Sequence, residues 1–106
     1  MALVPNYVQG TLTTSSVTLF TAANPLTISA IRVTNIDGVV SADATLARDP
    51  TGAPAAVNLA FGVPVPASAN FRIDGPIHMK AGDTITGLAS ANGDLAYHIE
   101  YVEDVP

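Results

Sequence analysis

The chain contains no cysteine and no tryptophan. The first absence excludes disulfides and thiolate metal sites, and it suits assembly in a reducing cytosol. The second, with only three Phe and three Tyr, leaves little aromatic surface for stacking sugars or bases. Charge is scarce as well. Asp, Glu, Lys and Arg make up 12% of the residues, about half the usual ~25%. The four basic residues, Arg32, Arg48, Arg72 and Lys80, are scattered along a chain of net charge −5. Nucleic-acid binding needs clustered Lys and Arg to displace phosphate counterions, so it is excluded. The same count argues against docking to an anionic membrane surface. Residues 1–10 carry neither a basic n-region nor an apolar run of signal-peptide length. No apolar run approaches the ~18–20 residues of a membrane span.

What is present is small and apolar. Nearly half of the 106 residues are hydrophobic, and much of that share is Ala and Val. A chain of this length buries roughly 60–70% of its unfolded surface, enough for one domain with a thin margin. Small and β-branched residues favour strands, and thin domains gain stability from a bound partner.

Period-2 patterning and turn signals divide the chain into about eight short strands. Residues 6–14 read as a weak strand and 15–22 as a better one, ended by Ala23-Asn24-Pro25. In 25–36, Leu26, Ile28 and Ala30 share one parity while Ile31 and Val33 share the other. A β-bulge near that flip would return them to one face; so would burial on both sides. Asp37-Gly38 reads as a hairpin turn into a strand over 39–48, with Val40, Ala42, Ala44 and Leu46 inward. Residues 49–54, with two prolines and a glycine, read as a loop; a single helical turn over 53–58 is allowed. Val57, Leu59, Phe61, Val63 and Val65 give the cleanest alternation in the chain. Pro64 and Pro66 require that strand to end near Val63 or lie at a sheet edge. A short strand over 70–73 is closed by Asp74-Gly75-Pro76. Residues 75–103 then read as a β-meander, with turns at Lys80-Ala81-Gly82-Asp83 and Asn92-Gly93-Asp94. Turn signals every 8–12 residues and no helical periodicity point to an all-β chain, a single antiparallel β-sandwich of jelly-roll type.

Chemical signatures are sparse. His78 and His98 alternate with apolar neighbours and so face away from the core. With Asp83 or Glu100 they would hold a metal only if the fold brought them together, and no HExxH or HxH spacing is present. Asp37, Asp49, Asp74, Asp83 and Asp94 fall in turns, where Asp bonds its own backbone, and Asp43 lies in a strand. No serine sits in a GxSxG context, and no phosphate-binding glycine loop occurs. No catalytic residue, cofactor or metal is therefore expected. Glu100, Glu103 and Asp104 make an acidic end that is either solvated or set against a basic partner patch.

Four segments, Leu19-Phe20-Thr21-Ala22 with 26–35, Val63-Pro64-Val65-Pro66 to Ile73, 77–90 around Ala81-Gly82-Asp83-Thr84-Ile85, and 97–103, cover about three-quarters of the chain. Together they resemble small β-sandwich virion proteins of tailed bacteriophages. The segment Ala67-Ser68-Ala69-Asn70 lacks that family's usual glycine, and residues 1–15 match none of its pattern. The resemblance implies a non-enzymatic virion component, assembled in the bacterial cytoplasm. Its implied role is a capsid cement or decoration protein bridging capsomers, often trimeric, with an N-terminal arm. A neck, tail or fibre-adaptor protein is the alternative of the same kind. A carbohydrate-binding sandwich and, last, a cupin-type metal enzyme are the rivals of other kinds. The expected layout is an arm over 1–10 and a sandwich over 11–106. The expected contacts with a major capsid protein or other virion proteins are Pro5, Tyr7, Arg48, Asp49, Pro50 and Pro54.

Overall fold

Alternating apolar residues on a pleated backbone bury one face only when a second sheet covers it. This chain does so with eight antiparallel strands and, among the described residues, no helix. The computed structural model describes residues 2–50 and 56–106. The strands are β1 (Ala2–Thr11), β2 (Val17–Thr21), β3 (Leu26–Asn35), β4 (Ala42–Asp49), β5 (Val57–Val65), β6 (Asn70–Met79), β7 (Thr84–Ala89) and β8 (Leu95–Val105). One sheet has the order β1-β8-β3-β6 and the other β2-β7-β4-β5. This is the jelly-roll arrangement of two four-stranded sheets.

Consecutive strands from β1 to β4 and from β5 to β8 alternate between sheets, so most turns cross the sandwich. The last third is therefore not a meander: β6 pairs with β3, β7 with β2 and β4, and β8 with β1 and β3. Asp37-Gly38 likewise closes no hairpin, since β3 and β4 lie in different sheets. The turn chemistry was legible, but which strands a turn joins is settled by burial of both inner faces.

The core comprises Leu12, Ile28, Ile31, Val33, Leu46, Ile85, Leu95 and Ile99, all fully buried, with Ala and Val between them. Phe20 of one sheet meets Tyr101 of the other at a ring-centroid distance of 4.7 Å. The parity flip in β3 is resolved by a register shift between Ile28 and Ala30. Ser29 bulges outward and its hydroxyl donates to the Glu100 carbonyl at 3.1 Å. Ile28 and Ile31 thereby both face inward, opposite Tyr101 and Ile99. Across the same point β6 passes unbroken through Asp74-Gly75-Pro76, where a turn was expected. Gly75 makes this approach feasible, because a Cβ there would collide with the Ile28 carbonyl oxygen.

Three further expectations change. Residues 2–11 are no free arm: every residue of β1 is registered against β8, although most of them remain exposed. Val40 is exposed rather than inward, as β4 begins at Ala42. The alternation of β5 breaks at Gly62, which has φ 58°. Beside it the register against β4 shifts. Ala60 is buried while Val57 and Phe61 face solvent. β5 does lie at a sheet edge, as its prolines require.

Candidate interaction surfaces

The expected contact residues fall on two separate surfaces. Pro5 and Tyr7 lie on β1, at the edge of the first sheet, opposite Val102 and Glu100. Asp49 ends β4 opposite Thr84 in the second sheet, and Pro50 follows it. Arg48 is occupied. Its register partner is the buried Ile85, and its guanidinium lies 3.5 Å from Asp83. Asp83 is almost fully buried, and its carboxylate also accepts the Lys80 amide at 2.9 Å. This pair closes one end of the sandwich. Pro54 lies outside the described residues.

The outer face of the first sheet carries a polar band that the scattered sequence positions did not reveal. Strand register aligns Gln9, His98, Arg32 and Arg72 in one row across all four strands. The neighbouring row is Tyr7, Glu100, Ala30 and Asp74. Tyr7 stacks on His98 at 5.1 Å. His98 lies 3.3 Å from Glu100 and 3.4 Å from Gln9. Arg72 pairs with Asp74 at 2.7 Å. Among the described residues Arg32 forms no ion pair, though it stands between His98 and Arg72. Asp74 offsets the charge of Arg72, which leaves Arg32 as the cation of this row without an ion pair among the described residues. The next row, Thr11, Ala96 and Thr34, is built of smaller side chains. The step between long and short rows leaves an open concavity of about 410 Å³ bordered by Gln9, Arg32 and His98.

His78 is on the same face but in another row, bonded to the Thr27 hydroxyl at 3.0 Å. The two histidines are therefore not brought together, and neither shares a metal-ligating cluster among the described residues.

The third surface is the loop over 36–41. It holds three exposed apolar side chains, Ile36, Val39 and Val40, and Val39 is the most exposed at 86%. Such a loop would ordinarily be pliable, but a buried amide organises this one. Asn35, 1% exposed, donates to the Val40 and Val65 carbonyls at 2.9 Å each and accepts the Asp37 amide at 2.8 Å. Asp37 in turn accepts the amides of Val39 and Val40. Backbone bonds from Ile36 to Asp94 and from Ser68 to Asp37 tie the loop to its neighbours. Nothing in sequence spacing marks Asn35; its role depends on where the chain returns.

The sheet edges complete the picture. Of the four edge strands, β1, β2 and β5 contain no charged residue, and only β6 is guarded by Arg72 and Asp74. Leu3 and Tyr7 on β1, and Val57 and Phe61 on β5, stand exposed. Natural proteins blunt free edges with charge, proline or bulges; here Pro5, Pro64, the register shift between Thr18 and Phe20 in β2 and the irregularity at Gly62 supply such protection.

The same fold is present in a chain of the infectious bursal disease virus T13 particle, with TM-score 0.59 and 8% identity over 95% of this chain and 31% of that one. The subunit of Bacillus endospore appendages, described as disulfide-linked pili, gives 0.58 and 9%, covering 99% of this chain and 88% of that one. The infectious bursal disease virus Gx strain gives 0.53 and 12%, covering 95% and 32%. At these identities the likeness is one of fold, and the chain spans about a third of the viral chains. No protein-family model matches the chain, and no curated protein sequence matches it.

Proposed function

We propose that the chain is a non-enzymatic structural subunit of a virion. In this reading it is a capsid cement or decoration protein of a tailed bacteriophage, bridging capsomers through the major capsid protein and associating with its own copies, as a trimer. The observation that carries this reading is the set of three uncharged edge strands with exposed apolar side chains. Such edges invite pairing with other chains and are stable in a protein whose edges become covered. The jelly-roll topology supports it as architecture, being a frequent capsid building block. Pro5 and Tyr7 on the β1 edge, with Asp49 and Pro50 at the end of β4, are the contacts assigned to the shell. Many weak copies acting in parallel would resist internal pressure through avidity. The carbohydrate-binding alternative is disfavoured by placement: exposed Tyr7 and Phe61 lie on different sheets and build no common stacking platform.

Quantitative mass spectrometry of purified particles tests the reading. Hundreds of copies per particle are expected for a cement protein, whereas about a dozen, matching a single ring, would move the assignment to the neck or tail. Absence from particles overturns both.

A further inference from the structure

We propose that the rigid apolar tip over 36–41 of one copy docks on the outer face of the first sheet of a second copy. Val39 would seat over the Thr11-Ala96-Thr34 row and Asp37 would face Arg32. The proposal rests on the self-association in the reading above and identifies the surfaces that make it.

Three observations converge on a second copy as the occupant. The tip is built for contact, since its exposed valines are held by the Asn35 and Asp37 hydrogen bonds before any partner arrives. Preorganisation removes part of the ordering cost of binding. The tip's end of the sandwich is also acidic. Asp37, Asp43 and Asp94 lie there, while residues 12–16, 36–41, 66–69 and 90–94 contain no Lys or Arg. Finally, the chain carries the complement. Arg32 has no ion-pair partner among the described residues and stands at the border of the open concavity, beside Arg72. Of the other cations, Arg48 is held by Asp83, and Lys80 lies beyond β6 at the opposite end. An acidic apolar knob and a shallow floor bordered by the exposed Arg32, on different faces of one molecule, make a heterologous contact. Such contacts close into rings or run on as open chains, and a ring of three would give the trimer. Anionic membrane is a poorer occupant, because the acidic end would be repelled.

The absence of cysteine permits a direct test. Val39→Cys protein is mixed with separately purified Thr34→Cys protein under mild oxidation, and Thr86→Cys on the other sheet serves as control. A mixed disulfide between Val39→Cys and Thr34→Cys is expected at about tenfold the yield of the control pair, a difference of the size one docked contact produces. In parallel, sedimentation velocity follows self-association of otherwise unaltered protein. Asp37→Asn keeps the oxygen that caps the loop but removes the charge. It and Arg32→Gln should each weaken association about tenfold, and the double variant should be no weaker than either single, as contacting residues are non-additive. Lys80→Gln, an equal charge change at the far end, should leave association unchanged. Strict additivity, or equal cross-linking to both sheets, overturns the tip-to-face contact while leaving self-association standing. A chain that stays monomeric at millimolar concentration and cross-links to neither sheet overturns both. Binding of the tip to phosphatidylserine vesicles, abolished by Val39→Asp, would replace the second copy with a membrane and overturn the proposal.

Discussion

Replacing Asn35 with alanine should be the most damaging single change outside the apolar core. The Val65 carbonyl, on a residue 1% exposed, loses its amide donor. A stranded buried group of this kind costs about 1–3 kcal/mol. The Val40 carbonyl and the Asp37 amide, both partly buried, lose their partners too. They can turn to water, so each forfeits about 0.5–1.5 kcal/mol. The sum is about 2–6 kcal/mol, centred near 4. For a domain of this size that centre lowers the melting temperature by about 15–25 °C. With no tryptophan to report unfolding, urea and thermal melts are best followed by far-ultraviolet circular dichroism. Amide exchange adds a local readout: the Asp37 amide should lose protection in Asn35→Ala while amides in β7 keep theirs. Asn35→Asp sharpens the argument. Its carboxylate still accepts the Asp37 amide but sets a second acceptor against two carbonyls. It should match or exceed the alanine variant at neutral pH and recover as acid protonates the carboxyl, which can then donate. An Asn35→Ala protein within about 1 kcal/mol of wild type, with the Asp37 amide still protected, would refute the claim that one buried amide holds the tip.

Tyr101 gives a pH prediction. Burial and the nearby Glu103 carboxylate raise its hydroxyl above the ordinary value of 10.0. The folded state therefore holds this proton after the unfolded chain has released it. The resulting stability is complete below about pH 10 and is lost as pH rises from there through the folded value. Stability measured from pH 8 to 11 should fall less steeply above pH 10 in Tyr101→Phe than in wild type, and identical slopes would remove Tyr101 as the cause. Gly75→Ala places a methyl group against the Ile28 carbonyl oxygen. The backbone at the paired β3 and β6 irregularity must then shift, and a loss of about 3 kcal/mol or more in urea denaturation is expected. A Gly93→Ala control lacks a clash, since nothing lies within 4 Å, but it adopts φ 76°, so it should lose only about 1 kcal/mol.

Much of the fold was legible because its signals are local. Alternation in 26–35, 84–89 and 95–101 placed strands where β3, β7 and β8 run. The flip between Ala30 and Ile31 allows either a bulge or burial on both sides, and the fold uses a bulge, one to two residues earlier, at Ser29. The outward direction of His78 and His98 followed from their neighbours. Lys80-Ala81-Gly82-Asp83 is a turn and Asp37-Gly38 lies in a bend rather than a hairpin, because such residues mark a change of direction without stating whether the flanking strands pair or cross to the facing sheet. The even run from Val57 to Val65 hid the break at Gly62, because a left-handed glycine looks the same in sequence as an extended one. An arm over 1–10 is suggested by weak alternation, whereas residues 2–10 are held through the backbone pairing of β1 with β8 while most of their side chains stay exposed.

A strand-rich, cysteine-free and charge-poor domain follows from composition and period-2 patterning, which act through each residue's own propensity and burial. Which strands are neighbours emerges only when the sandwich closes. Register across four strands set Arg32 beside Arg72 and His98, residues 40 and 66 positions apart in the chain. The return of β5 beneath the 36–41 loop put the Val65 carbonyl within 2.9 Å of Asn35. Both surfaces depend on long-range pairing, whose energy comes from covering two apolar faces at once, and no local stretch of the chain encodes that.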